Sequence, residues 1–244
     1  MLSRVTIALL LLLALSGCKR EPFSQSNSGF SALDKTVLYD FRNPPAAPAQ
    51  PDAQTARRVL SAVVPGYDRQ KCPPGEAAPQ ILGSAQGSFT ATDLKQTVYL
   101  IDPGECASKP GSATRRLAVF SGDKLAANVA TPIGMSILGA YDLNRDGKNE
   151  LLLEADGGGR GAAERIKLAR LVEFDKDKLA PVEEFGEVYD DACAGSLSSK
   201  SITARTIYYL PPPAGQKARF SVELYRSPCP APGQKTQWTR VTGS

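Results

Sequence analysis

Residues 139–154 read GAYDLNRDGKNELLLE. The stretch opens on a glycine, crosses a polar loop rich in Asp and Asn, and ends in an apolar run, Leu151-Leu152-Leu153, of strand length. Two further stretches follow the same plan: residues 87–101, GSFTATDLKQTVYLI, and residues 195–210, GSLSSKSITARTIYYL. Their starts are 52 and 56 residues apart, a period that belongs to repeat architectures.

The segments that come after these stretches correspond as well. Residues 116–129, RLAVFSGDKLAANV, and 166–185, IKLARLVEFDKDKLAPVEEF, each read as strand, tight polar turn with Asp-Lys-Leu, strand. Residues 220–241 are a looser version, the turn widened by Ser227-Pro228-Cys229-Pro230. Each module therefore amounts to about four antiparallel strands, the sheet content of one propeller blade. The expected fold is mainly β, built of antiparallel blade-like repeats. Three modules are fewer than the roughly four to eight blades of closed propellers, so the repeats make a partial or small propeller-like array or, alternatively, a β-sandwich.

One N-terminal helix is predicted in front of the repeats. Asp52 is placed as N-cap, Ala53, Ala56, Val59, Leu60, Val63 and Val64 share a face, Arg57 and Arg58 point away, and Pro65-Gly66 stop it. Upstream, Val37, Tyr39 and Phe41 alternate as in a short strand, and residues 43–51, NPPAAPAQP, form a stiff linker of extended preference. The expected organisation is a leader over 1–17, a lipidated tether and Pro/Ala-rich linker over 18–51, helix and connecting segment over 52–86, and a β domain of three repeats over 87–244.

The leader has Arg4 as its positive region and an unbroken apolar run over 7–15, too short to span a bilayer. It ends in Leu15-Ser16-Gly17-Cys18, which resembles the lipobox of bacterial lipoproteins. That resemblance implies a signal peptide cleaved before Cys18 and acyl chains such as palmitate on Cys18, each buried methylene favouring the membrane by about 0.8 kcal/mol. Lys19 follows, not the Asp that marks inner-membrane retention in many such lipoproteins, so the resemblance favours the outer membrane of the cell envelope. Four cysteines remain, Cys72, Cys106, Cys193 and Cys229, an even number in an oxidising compartment. Three connectivities are possible. The pairs close in sequence, Cys72 with Cys106 and Cys193 with Cys229, are preferred because each would staple one module. No CxxC spacing supports zinc or thiol redox chemistry.

Within the middle repeat, Asp142, Asn144, Asp146 and Glu150 stand at the first, third, fifth and ninth positions of a loop with Gly147 at the sixth. Alternating oxygen side chains wrap a hard cation, glycine lets the chain turn sharply, and the carbonyl of Lys148 adds a further oxygen. Three carboxylates in so tight a loop repel one another unless a cation lies between them. The loop is not a full EF-hand, since Leu153 replaces the bidentate Glu and a strand replaces the exiting helix. DLNRDGKNELLLE instead resembles the calcium loop of FG-GAP/VCBS repeats, the integrin-type β-propeller blades. The resemblance implies an extracellular, calcium-stabilised blade serving adhesion or recognition, with Asp142, Asn144, Asp146 and Glu150 as side-chain ligands and Lys148 as a backbone ligand. In the first and third stretches the acids are lost, at Thr90-Ala91-Thr92-Asp93 and Ser198-Ser199-Lys200, so those repeats are expected to be metal-free. The competing reading is an Asx-turn hairpin whose side chains cap their own backbone.

Composition removes most catalytic classes. The 244 residues contain no histidine, which excludes Ser-His-Asp and Cys-His nucleophiles and His-based zinc sites. A net charge of +4 is too mild to indicate nucleic acid. Gly157, Gly159 and Ala162 satisfy a relaxed GxGxxA pattern, but no βαβ alternation surrounds them, and an inter-strand loop is the better account. The adjacent acids Glu183-Glu184 and Asp190-Asp191 point to opposite faces of a strand and do not make a catalytic pair. Trp238, Tyr208, Tyr209 and Tyr225 read as core or cross-strand residues before they read as a sugar site. No catalytic residue is assigned. The expected function is a membrane-anchored recognition or structural interaction module whose partner is an envelope protein or glycan. The alternative is an envelope hydrolase using carboxylates or the bound metal.

Overall fold

The computed structural model describes residues 35–45, 50–64, 77–104, 114–131, 135–158, 165–193, 201–213 and 216–242. The chain begins there with β1 (Thr36–Asp40) and one helix, α1 (Ala53–Val63). Four strands then run as an antiparallel meander: β2 (Gln80–Gly87), β3 (Gln96–Asp102), β4 (Arg115–Ser121) and β5 (Lys124–Thr131). A second meander follows, β6 (Met135–Tyr141), β7 (Glu150–Asp156), β8 (Arg165–Asp175) and β9 (Lys178–Asp191). The last strands are β10 (Ser201–Leu210), β11 (Arg219–Pro228) and the short β12 (Thr239–Arg240). The fold is mainly β with blade-like antiparallel sheets, as expected.

Repetition is visible in the geometry. Arg116-Leu117-Ala118-Val119-Phe120 of β4 and Arg170-Leu171-Val172-Glu173-Phe174 of β8 occupy corresponding places, and each leads into a two-residue hairpin turn, Gly122-Asp123 or Lys176-Asp177. Such turns need a left-handed residue, and Gly122 (φ 57°) and Lys176 (φ 58°) supply it. The first strand of each unit carries one bulge after a similar tripeptide: Ile81-Leu82-Gly83 in β2, Ile137-Leu138-Gly139 in β6, and Val37-Leu38-Tyr39 in β1.

That third bulge identifies what β1 does. β1 pairs antiparallel with β10, Tyr39 opposite Ile207 and Asp40 opposite Thr206, as β2 pairs with β3 and β6 with β7. The N-terminal strand therefore stands as first strand of the third unit, ahead of β10, β11 and β12. The third repeat was expected to be contiguous from residue 195; its first strand instead comes from the other end of the chain. The expected boundary at residue 87 also shifts, because β2 ends there and β1 lies well before it. Local periodicity marks strands, but pairing across more than 160 residues is fixed by the apolar side chains that close the core.

The units assemble in two ways. Leu151 and Leu153 of β7, with Val172 and Phe174 of β8, pack against Val98, Leu100, Leu117 and Val119 of the first sheet. The intervening Leu152, with Ala169 and Leu171, faces the other side, where Leu38, Tyr39, Phe41, Phe185 and Ile207 gather. Both faces of β7 are thus buried, which is why its sequence is a continuous apolar run instead of an alternation. The second and third units do not stack as separate blades. They fuse where Ile202–Ala204 of β10 pair with Tyr189–Asp191 of β9, giving one eight-stranded sheet that curls on its own core.

Helix α1 covers the far face of the first sheet. Asp52 caps it, its carboxylate accepting from the Thr55 backbone N–H at 2.9 Å and from the Thr55 hydroxyl at 2.8 Å. Val59, Leu60, Val63 and Val64 pack on Ile81, Tyr99, Ile101, Ala118 and Phe120. Ala118 and Phe120 correspond to Val172 and Phe174, which in the second unit face the first. The helix consequently occupies the place a preceding blade would take, each fully buried aliphatic side chain contributing about 1.5–3 kcal/mol. Arg58 does not point freely away but forms an ion pair with Asp123 in the β4–β5 turn.

The Cys193–Cys229 disulfide is formed, with Cα atoms 5.6 Å apart, and it joins the ends of β9 and β11 across β10. Cys18, Cys72, Cys106, the leader and the third polar loop lie outside the described residues. Among the described residues no helix is long and apolar enough to cross a membrane.

Candidate functional site

The loop between β6 and β7 is folded by its own acids. Asp142 accepts from the backbone N–H groups of Asp146 (3.1 Å) and Gly147 (3.2 Å), Asn144 from Asp146 N–H (2.9 Å), and Asp146 from Lys148 N–H (2.8 Å). Asn144 also donates its amide to Asp146 at 3.1 Å. Gly147, with φ 84°, supplies the left-handed turn. This is the Asx-turn geometry that competed with the metal reading, and it leaves each accepting oxygen a second lone pair.

Glu150 is held differently. It is 2% exposed, and its Oε2 accepts the Leu143 N–H at 2.9 Å. Burial pushes its carboxyl up to about 7, further raised by the charges of Asp146 and Asp142 and opposed by backbone hydrogen bonds from Leu143 and from its own N–H. None of the described ion pairs neutralises Asp142, Asp146 or Glu150. Three carboxylates, one of them in the core, thus share a loop in which Arg145 and Lys148 are the cationic side chains and neither forms a described ion pair with them. Their donor chemistry, all oxygen, suits calcium or another hard cation. Even so, among the described residues no group of three or more His, Cys, Asp or Glu side chains converges as a metal cage. A cation would draw Asp142, Asn144, Asp146, the Lys148 carbonyl and Glu150 inward from their backbone partners.

The first unit carries the same loop without acids at the corresponding side-chain positions. Ser88, Thr90, Thr92 and Gln96 occupy the places of Asp142, Asn144, Asp146 and Glu150, and Asp93 (φ 60°) takes the left-handed position of Gly147. Gln96, 3% exposed, does what Glu150 does: its Oε1 accepts from Phe89 N–H (2.7 Å) and Thr90 N–H (3.0 Å), while its amide donates to the Thr90 and Ser121 hydroxyls. A neutral amide can therefore hold this corner. What distinguishes the second loop is charge, not backbone shape.

The two loops are joined. Asn149 donates its backbone N–H to Ser88 O at 2.6 Å and accepts the Ser88 N–H on its side-chain oxygen at 2.7 Å. Gly87 is required beside it, since a Cβ there would stand 2.7 Å from that oxygen. Sequence reading passed over Asn149, because the metal pattern gives the eighth position no role. Asn149→Ala is expected to lower the unfolding free energy by about 1–2 kcal/mol in a urea titration, since it leaves the Ser88 N–H unpaired at a partly buried junction.

The rival constellations resolve into structure. Gly157, just after β7, donates its N–H to Ile166 O of antiparallel β8, while Gly159 and Ala162 lie outside the described residues. Glu184 pairs with Arg170 at 4.0 Å, and Glu183 is raised by burial and by Glu184. Asp191 accepts the Cys193 N–H. Tyr209 and Trp238 pack on the curled core. Tyr208 and Tyr225 donate their hydroxyls to Glu223 at 3.1 and 3.0 Å, and Arg240 reaches the same carboxylate at 2.8 Å. Burial, then the Tyr225 and Glu223 contacts, hold the Tyr208 phenol above its ordinary range. Arg42 lies 3.8 Å over the Tyr225 ring and pairs with Asp40 at 2.8 Å, so this network links all four strands of the third unit. A shallow open groove of about 410 Å³, lined by Ser201, Arg226, Pro228, Thr239, Arg240 and Val241, contains no carboxylate.

The fold and loop define a class only: a repeat-built β domain with one acidic inter-strand loop. Comparison with known proteins adds no relative, since no family model, curated protein or solved structure matches the chain.

Proposed function

We propose that the chain is a lipid-anchored protein of the bacterial envelope, held at the outer membrane through Cys18, whose β domain is a recognition or structural interaction module braced by calcium. The observation that carries the calcium part is that no described ion pair reaches Asp142, Asp146 or the buried Glu150, three carboxylates in the loop that is tied, through Asn149, to the first unit. A cation there would act as a structural ion. It would neutralise the loop and stiffen the junction between the first two units, the FG-GAP/VCBS-like role that the sequence pattern suggests. The lipobox-like leader supports the anchor, and the lack of histidine supports binding over hydrolysis. The partner class is an envelope protein or glycan.

Thermal unfolding tests the brace. Millimolar calcium is expected to raise the melting temperature above that in EGTA, and the double variant Asp142→Ala, Asp146→Ala is expected to lose the difference. Identical melting curves with calcium and with EGTA would leave the loop as an Asx-turn hairpin and end the calcium reading. Acylation is tested separately, by fatty-acid labelling that must disappear in Cys18→Ala.

A further inference from the structure

Charge is divided between the units far more sharply than the net value of +4 suggests. Residues 135–193, the second unit, contain eight Lys and Arg against fourteen Asp and Glu, a net of −6. Residues 201–244, the bulk of the third unit, contain six Lys and Arg against Glu223 alone, a net of +5. Lys217, Arg219, Arg226, Lys235 and Arg240 are all exposed, whereas Glu223 is enclosed by Tyr208, Tyr225 and Arg240. The surface is correspondingly more basic than the count. Val37, Val222 and Val241 are exposed on the same unit, and Val241 shares with Arg226 and Arg240 the groove that has no acid in its lining.

The same unit receives the tether. β1, paired with β10, starts at Thr36, eighteen residues after Cys18, a fully extended reach of roughly 60 Å at most. We infer that the third unit, β1 with β10 to β12, is the face that lies on an anionic phospholipid surface, with the acidic second unit and its loop turned away from it. Exposed cations close to such a surface contribute about 1 kcal/mol each, and the attraction falls off within a Debye length. The inference takes from the proposed anchor only which surface is meant; its own basis is the charge division and the place of β1.

The test uses the chain from residue 18 with Cys18→Ala, so that no acyl chain contributes. Co-sedimentation is measured with vesicles of phosphatidylcholine alone and with about a third phosphatidylglycerol, at low and at high sodium chloride. Binding is expected only to the anionic vesicles and only at low salt. The triple variant Lys217→Glu, Arg226→Glu, Lys235→Glu is expected to bind at least fiftyfold more weakly, three lost contributions amounting to about a hundredfold. The reversal Glu183→Lys, Glu184→Lys on β9 is expected to leave binding within twofold. Equal binding to both vesicle types, or anionic binding that the triple variant retains, would overturn the inference. So would self-association without vesicles that the triple variant abolishes, which would make the acidic unit of a second copy the partner. Fatty-acid labelling of the unaltered chain reads the anchor independently, so the two failures are distinguishable.

Discussion

Glu150→Gln is expected to make the calcium-free protein more stable at pH 8 and the calcium-loaded protein less stable. In EGTA the wild-type carboxyl is raised from the usual 4.5 to about 7 by burial and by its acidic neighbours. A carboxyl raised on folding favours the protonated form, so its contribution is fully present below about pH 4.5, declines as pH rises through 7, and is then lost. Across that window the loss is on the order of 3 kcal/mol, from about 1.36 kcal/mol per pH unit. Glutamine has no such titration, and Gln96 shows that an amide fits the corresponding corner with two backbone N–H groups on its oxygen. The difference in unfolding free energy between wild type and variant, measured by urea denaturation in EGTA from pH 4.5 to 8, should follow this curve. Calcium should reverse its sign at pH 8 by removing the wild-type penalty and leaving the variant one ligand short. A difference that does not change with pH would show that burial does not raise the Glu150 carboxyl.

Loss of the Cys193–Cys229 disulfide carries the other large effect. The bridge closes a loop with a sequence separation of 36 residues, and constraining such a loop in the unfolded chain is worth about 4 kcal/mol in the chain-entropy account. Native contacts add to its importance, because β10 is shared by β9, β11 and β1, and the bridge joins the two neighbours that flank it. Cys193→Ser with Cys229→Ser is expected to shift the guanidinium midpoint accordingly and to open the β9–β10 junction first, seen as faster amide exchange at Ile202 and Ala204. A shift below about 1 kcal/mol would mean that this junction is held by its core alone.

The comparison between sequence and structure divides along the range of the interactions involved. The Asp52 cap, the apolar stripe of α1 from Ala56 onward and the Asp-Lys-Leu turns are short-range patterns, and each stands where it was read; the 52-residue spacing does not, since Gly83 and not Gly87 matches Gly139. The Cys193–Cys229 pair was legible as a pair close in sequence, but the bridge ties β9 of the second unit to β11 of the third instead of stapling one module. By contrast, the pairing of β1 with β10 is encoded by Leu38, Tyr39 and Phe41 only together with Ile207 and Phe185, residues far away along the chain. Its sole local trace is the Val37-Leu38-Tyr39 bulge, which resembles the two Ile-Leu-Gly bulges only once the register is known. The fusion of β9 with β10 was hidden for the same reason. In the loop, the spacing of Asp142, Asn144, Asp146 and Glu150 was legible, but not that Gln96 marks the same corner in the first unit or that Asn149 joins the two loops.

Calorimetric titration of calcium into the chain from residue 18 addresses the central claim most directly. The loop of Asp142, Asn144, Asp146 and Glu150 predicts one saturable site per chain at neutral pH, with proton release as the raised Glu150 carboxyl ionises, and no binding in Asp142→Ala, Asp146→Ala. Absence of binding heat in every buffer, or a site that survives in the double variant, would contradict it.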